Sequence, residues 1–161
     1  MFRKGYVFRP WENEDAPPLS RILSSEKFWE FLPEEYSGEL NANEALELIK
    51  LNASNSNHFI RAVEFEGELI GQVRLEFDQE HAELSYWLDI NHWGYGHGSA
   101  MVTLFLYEST MHYPELRFVF ARVHEKNLAS ARILTKLGFL RIAEKDDLPF
   151  HYFECCLTKP T

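Results

Sequence analysis

Between residues 59 and 88 the chain runs through three β-type segments separated by only two short turns. Residues 59–65 set Phe59, Arg61, Val63 and Phe65 against Ile60, Ala62 and Glu64. Glu66-Gly67 is a tight turn, and residues 69–77 then place Leu69, Gly71, Val73, Leu75 and Phe77 on one face, opposite Gln72, Arg74 and Glu76. A second turn over residues 78–81 leads to a third strand over residues 82–88. Successive strand residues point to opposite faces, and connections this short join only antiparallel neighbours. An antiparallel meander is therefore fixed at the centre of the fold. The glycine-rich run 94–98 follows, and then residues 99–112, apolar nearly all round through Ala100, Met101, Val102, Leu104, Phe105, Leu106 and Tyr107. That pattern predicts a buried helix, which Pro114 ends.

The flanking segments complete an α+β pattern. Residues 6–10 form a short β-like run closed by Pro10. Asp15, Pro17 and Pro18 open a helix with Leu19, Ile22 and Leu23 at helical spacing. Residues 24–38 are irregular and aromatic (Phe28, Trp29, Phe31, Tyr36), a helix–loop segment that covers something. Asn41 or Asn43 caps the next helix, striped by Ala45, Leu46, Leu48, Ile49 and Ala53 and ended by the Asn/Ser cluster 52–57. Later, residues 117–123 read as a strand, and Asn127 caps a helix through Ile133, Leu134 and Leu137. Gly138 supplies the left-handed stop, and residues 139–143 and 150–157 read as the last strands. No repeat or linker interrupts this order, so one domain spans residues 1–161.

Composition narrows the function classes. With 16 Lys and Arg against 25 Asp and Glu, the formal charge is −9. Phosphate-backbone binding needs a basic footprint, so duplex nucleic acid is not an expected partner, whereas a cationic substrate is compatible. No apolar run approaches the roughly 20 residues needed to cross a bilayer, and the opening residues lack a secretory apolar stretch. Cys155 and Cys156 are adjacent and too few for a disulfide framework or a zinc site, so a reducing, cytoplasmic setting without membrane contact or metal is expected.

Two motifs carry candidate chemistry. Trp93-Gly94-Tyr95-Gly96-His97-Gly98-Ser99 lies between a strand and a helix. Glycines let the chain turn sharply, and the first amides of a helix lack intrahelical partners beside the positive end of its dipole. Such a turn suits a phosphate or pyrophosphate, or is simply a flexible connection; no Gly-Lys-Ser/Thr follows, so it is not a Walker loop. The second motif is Asn127-Leu-Ala-Ser130, followed by Lys136-Leu137-Gly138-Phe139. Alone it reads as a helix cap and a helix stop.

Together, about 30 residues apart, the two motifs resemble the GNAT superfamily of acyl-CoA-dependent N-acyltransferases. Trp93 to Ser99 is similar to its pyrophosphate loop, with Gly96 and Gly98 on the two small positions. Phe8-Arg9-Pro10-Trp11 and Ala82-Glu83-Leu84-Ser85-Tyr86-Trp87-Leu88 are similar to the RimJ/RimL-like ribosomal-protein N-acetyltransferase branch. The chain departs from the pattern at Trp93, where many members carry Gln or Arg, and at Ser85, often glycine. It departs again at Leu134, where other branches place a tyrosine acid.

The resemblance implies a mixed, mostly antiparallel twisted sheet of about seven strands flanked by helices, with a V-shaped splay between central strands. It implies acetyl-CoA as co-substrate and a primary amine as acceptor, either a protein N-terminus or a small molecule, in a monomer or homodimer. The pantetheine arm would meet backbone groups of Leu88, Asp89 and Ile90, one N–H of which would stabilise the thioester oxyanion. The diphosphate would lie on the amides of Tyr95, Gly96, His97, Gly98 and Ser99, with Trp93, Gly94, Asn127 and Ser130 completing the cofactor site. Arg132 and Lys136 are candidates near the 3′-phosphate or simply a solvated helix face. The Ser130 hydroxyl would serve the leaving thiolate. Glu83, facing with Ser85 and Trp87, is the candidate base or amine-orienting group; the alternative is a strand residue paired across the meander, for instance with Arg74. A free α-amine near pKa ~8 costs roughly 1.4 kcal/mol to neutralise at pH 7, against nearly 5 kcal/mol for lysine, so a modest base suffices for a chain terminus. Trp29, Phe31 and Tyr36 are acceptor-wall or core residues, and the spacing of His92 and His97 fits no common metal site. The competing readings are a degenerate acyl-CoA-binding sensor or partner module without turnover and, more remotely, a nucleotide-phosphate binder of unrelated fold.

Overall fold

A computed structural model of the chain describes residues 5–54 and 56–157. The opening residues 1–4, whose lack of a secretory stretch was noted above, Asn55 of the Asn/Ser cluster, and residues 158–161 fall outside the described residues. The meander forms as its alternation dictates: β2 (His58–Phe65), β3 (Glu68–Asp78) and β4 (His81–Leu88) pair antiparallel in sequence. Its first turn uses left-handed backbone at both central residues, Glu66 (φ 52) and Gly67 (φ 83), the geometry that matches strand twist. β1 (Tyr6–Arg9) adds to β2, while β5 (Phe118–His124), β7 (Phe150–Cys156) and β6 (Leu140–Arg141) extend the other side. The sheet has seven strands in the order β1-β2-β3-β4-β5-β7-β6, and only β4 and β5 are parallel.

One helix pair covers each face. α1 (Ala16–Leu23) and α2 (Ala42–Ala53) bury Leu19, Ile22, Leu23, Ala45 and Ile49 with Phe28, Ala62 and Leu69. α3 (His97–His112) and α4 (Leu128–Lys136) pack Met101, Val102, Phe105 and Leu134 against Val73, Leu75, Leu84 and Val119. Asn41 makes the expected cap of α2: its side chain accepts from the Glu44 amide at 2.9 Å and Glu44 returns a bond to the Asn41 amide at 3.2 Å. The family-like Arg9 and Trp11 tie β1 down. Arg9 bonds both oxygens of buried Asp15 at 2.8 Å and also Glu64, and the Trp11 indole donates to Gln72 at 3.0 Å.

Three details differ from the sequence expectation. Glu64 pairs with Leu69 and Val63 with Gly71, leaving Ile70 unopposed. This bulge moves Leu69 to the α1–α2 core and Ile70 to the α3–α4 core, so the single apolar face expected for residues 69–77 breaks at its start. α3 is not buried all round: Thr103, Tyr107 and Met111, at fourfold spacing, are exposed, because a helix lying on a sheet has one face left in water. The strand expected over residues 139–143 shortens to β6, since Ala143 to Lys145 coil into a 3-10 turn and Phe139 joins the core.

Candidate active site

β4 and β5 pair only where His81, Ala82 and Glu83 face Phe118, Val119 and Phe120. Beyond that point β4 stays registered with β3 as far as Leu88, and β5 with β7 as far as His124. The facing edges of residues 84–88 and 121–124 therefore diverge, giving a V with its vertex at Glu83 and its mouth at the carboxyl ends of both strands. An edge left unpaired in this way offers backbone N–H and C=O groups to an amide-bearing chain.

The glycine-rich turn opens beside this mouth. Gly94 (φ 86) and Gly96 (φ 83) adopt the left-handed backbone that a side chain disfavours, and Gly96 caps α3. Gly98 lies close against α4: a Cβ there would stand 3.1 Å from Cδ1 of Ile133. The helix begins at His97, two residues before the expected Ser99, so Gly98 and Ser99 belong to its first turn. Ala100 is the first residue whose amide is bonded internally, to Gly96 O at 3.2 Å. The amides of residues 94–99 have no internal acceptor among the described residues. The His97 ring is buried against Phe65, and its Nδ1 meets the Tyr6 hydroxyl at 2.6 Å. Burial, then nearby His92, hold its imidazole below the usual range, so positive potential at the turn comes from amides and helix dipole. Tyr95 projects into solvent, and Arg132 and Lys136 lie exposed on α4.

At the end of β4 the three expected backbone residues are in different states. The Leu88 carbonyl accepts the Trp93 indole N–H at 2.8 Å, and the Asp89 amide donates to Ile70 O at 2.7 Å, a contact the β3 bulge makes possible. The Asp89 side chain is buried, accepting from the Asn91 amide at 3.3 Å and facing Arg21 at 3.4 Å. The Ile90 amide has no internal acceptor among the described residues, and the Leu88 amide, next to the ladder bond that Asp89 makes to Ile70, is likewise turned away from β3. Asn127 caps α4 as expected, its side chain accepting from the Ser130 amide at 3.2 Å.

Glu83 shares its face with Ser85 and Trp87, but its partner is Arg122 of β5, at 2.6 Å from Nε and 3.3 Å from the second nitrogen. Arg74, the cross-strand partner suggested by the sequence, donates to Ser85 instead at 3.0 Å. The hydrogen bond to Glu83 raises the Arg122 pKa, which keeps this cation in place at the vertex. A depression of ≈ 550 Å³ opens on the same face, lined by Glu76, Asp78, His81, Glu83, Phe120 and Tyr152. Trp87 is held by Trp11 (6.1 Å between ring centres) and Phe28 (5.2 Å). Phe31 reaches His124 at the end of β5, 5.5 Å between rings, so residues 24–38 do cover the mouth of the V. Trp29 and Tyr36 anchor that cover, donating to Leu23 O at 2.8 Å and Ser24 O at 3.1 Å.

On the opposite face, the Ser130 hydroxyl is bonded to the Tyr86 phenol. Sequence reasoning passed over Tyr86 and Arg122. Period-2 alternation placed Tyr86 with Ala82, Leu84 and Leu88 on the core face, and a lone hydroxyl there demands a partner, which was the available signal. Arg122 gave none, because its pairing to Glu83 depends on the parallel register of β4 and β5.

A sheet that opens between parallel strands beside a helix start with free amides defines a class of acyl-CoA-dependent transferases. The chain belongs to the GNAT acetyltransferase domain family, whose sequence profile matches residues 6–140. Its fold is similar to that of RimL, a ribosomal L7/L12 alpha-N-protein acetyltransferase in complex with coenzyme A. The TM-score is 0.81 at 14% identity, covering 98% of this chain and 97% of that one. It is also similar to the microcin C7 self-immunity acetyltransferase MccE in complex with acetyl-CoA and AMP (TM-score 0.81, 13% identity, 96% and 94% covered). A third likeness is to Mycobacterium smegmatis RimJ in complex with a CoA disulfide (TM-score 0.76, 16% identity, 94% and 81% covered). A comparison with curated protein sequences finds no match. Among the described residues no helix is long and apolar enough to cross a membrane.

Proposed function

We propose that this protein transfers an acetyl group from acetyl-CoA to a primary amine by direct attack in a ternary complex. The unengaged amides of residues 94–99 beside the splayed edge of β4 carry this reading, because they fit a diphosphate and its amide-bearing arm together. Tyr95, Gly96, His97, Gly98 and Ser99 would hold the diphosphate through backbone, and the edge residues 84–88 the arm. The Ile90 amide would point a hydrogen bond at the thioester oxygen, where one such donor is worth roughly 3–4 kcal/mol in the transition state. Acetyl-CoA brings the activated acyl group. The protein orients it, excludes water beneath residues 24–38, and receives the amine on the open face.

Glu83 takes or orients the amine proton. Arg122 occupies two of the carboxylate's four acceptor positions and leaves the others for the acceptor. The carboxylates of Glu76, Asp78 and Glu83 around the depression favour a cationic acceptor, and the likeness to proteins described as alpha-N-protein acetyltransferases favours a protein α-amine over a small molecule. The activity is assigned to one domain over residues 1–161, acting in the cytoplasm as a monomer or homodimer.

The test is an acetyl-CoA turnover screen against basic N-terminal peptides, polyamines and aminoglycosides, with Glu83→Gln alongside. Expected are saturable acetyl-CoA binding, turnover of a peptide α-amine, and about a 100-fold lower kcat in Glu83→Gln at unchanged cofactor affinity. Binding without turnover of any amine would instead identify a degenerate acyl-CoA-binding module.

A further inference from the structure

Tyr86 lies three residues beyond Glu83, in the half of β4 that has left β5. Its hydroxyl reaches α4, which packs with α3 on that face of the sheet, and bonds Ser130 in the first turn of that helix. One turn further along α4 the same face carries Leu134, fully buried and without a polar atom. Two hydroxyls hold two protons, and one bond between them uses one. Neither oxygen has another hydrogen-bond partner among the described residues, so the pair keeps one proton uncommitted.

The geometry points to Tyr86 as the donor that stabilises the departing thiolate, with Ser130 holding the phenol by donating to its oxygen. This rests on the acetyl-transfer reading above and adds to it the group that serves sulfur where Leu134 offers none. As the amine nitrogen bonds the carbonyl carbon, the C–S bond breaks and its electron pair stays on sulfur. The surplus proton on nitrogen leaves to Glu83 or water; the thiolate takes its proton from water on release. Tyr86 keeps its own proton throughout. Burial pushes the phenol up to about 12, against the opposing bond from Ser130. A thiol ionises near ~8.5, so proton transfer from phenol to thiolate is disfavoured by roughly 3,000-fold, whereas a hydrogen bond to it is favourable.

A readout that needs no acceptor separates this role from simple tethering of β4 to α4. The thiol of bound CoA is titrated by its thiolate ultraviolet absorbance on wild type and on Tyr86→Phe. The bound thiol should ionise at least about one pH unit lower on wild type, a tenfold difference in thiolate. In turnover, Tyr86→Phe should lose about 10- to 100-fold in kcat with the acetyl-CoA KM within threefold. Replacement of Tyr86 by 3-fluorotyrosine, which keeps the shape and acidifies the phenol, should lower the bound thiol pKa further and serves if Tyr86→Phe fails to fold. Identical thiol titrations for wild type and the variants overturn the assignment, even in an enzyme that transfers acetyl groups. Failure of wild type to bind CoA overturns the transferase reading and this one with it.

Discussion

Gly71 is where the sheet is least able to accept a methyl group. It pairs with Leu88 across β3 and β4, and a Cβ there would stand 2.5 Å from the Trp87 carbonyl oxygen. Leu88 Cα and Met101 Sδ, both at 3.5 Å, close off the remaining space. The obstructing atom is backbone, so no side-chain rotation relieves it. An overlap of this kind in a packed region costs about 1–3 kcal/mol, and relief requires the end of β4 to move away from β3, towards the opening. In a chain of 161 residues each kcal/mol lowers Tm by about 2–4 °C, giving an expected fall of about 2–12 °C for Gly71→Ala by calorimetry. The same movement strains the bond from the Asp89 amide to Ile70 and displaces the edge proposed to hold the pantetheine arm. CoA affinity, measured by titration calorimetry, should therefore fall at least several-fold. A variant with Tm within one degree of wild type and undiminished CoA affinity would refute the reasoning that β3 fixes the position of that edge.

Gly96→Val places a branched side chain at φ 83 in the cap of α3; CoA binding should weaken at least tenfold, with Tm lowered by a few degrees. Asp15 provides a pH test. Burial raises its carboxyl pKa, but the Arg9 hydrogen bonds, the bond from the Glu12 amide and the Arg9 charge together outweigh burial and set it below the ordinary value. A carboxyl depressed on folding adds stability above its unfolded pKa, about 3.9, and loses it as pH falls through the folded value. Wild type should thus lose Tm below about pH 4 more steeply than Asp15→Asn. At pH 7 the variant should be about 2–3 kcal/mol less stable, because Arg9 loses a charged partner.

Much of this architecture was legible before any coordinates. The alternation around Glu66-Gly67, the Asn41 and Asn127 caps and the Gly138 stop are local: each is decided by residues within a few positions of one another. The glycine-rich turn was legible for the same reason, since left-handed backbone and free helix-start amides are properties of a short segment. The Ile70 bulge was not, because a strand's facing is set by what its neighbours bury. Nor was the place that the aromatic cover reaches, since the contact of Phe31 with His124 joins residues far apart in the chain.

The sequence by itself determined the meander, the caps of α2 and α4 and the glycine-rich turn that precedes α3. Tertiary structure alone decided that β4 and β5 part company after Glu83, and which groups then face the opening. Arg122 reaches Glu83 through a parallel register that no turn dictates, and Tyr86 reaches Ser130 only because α4 packs on the face to which Tyr86 points. Local patterns fix backbone conformation; the pairing of charges and hydroxyls across a sheet depends on packing of segments separated by dozens of residues.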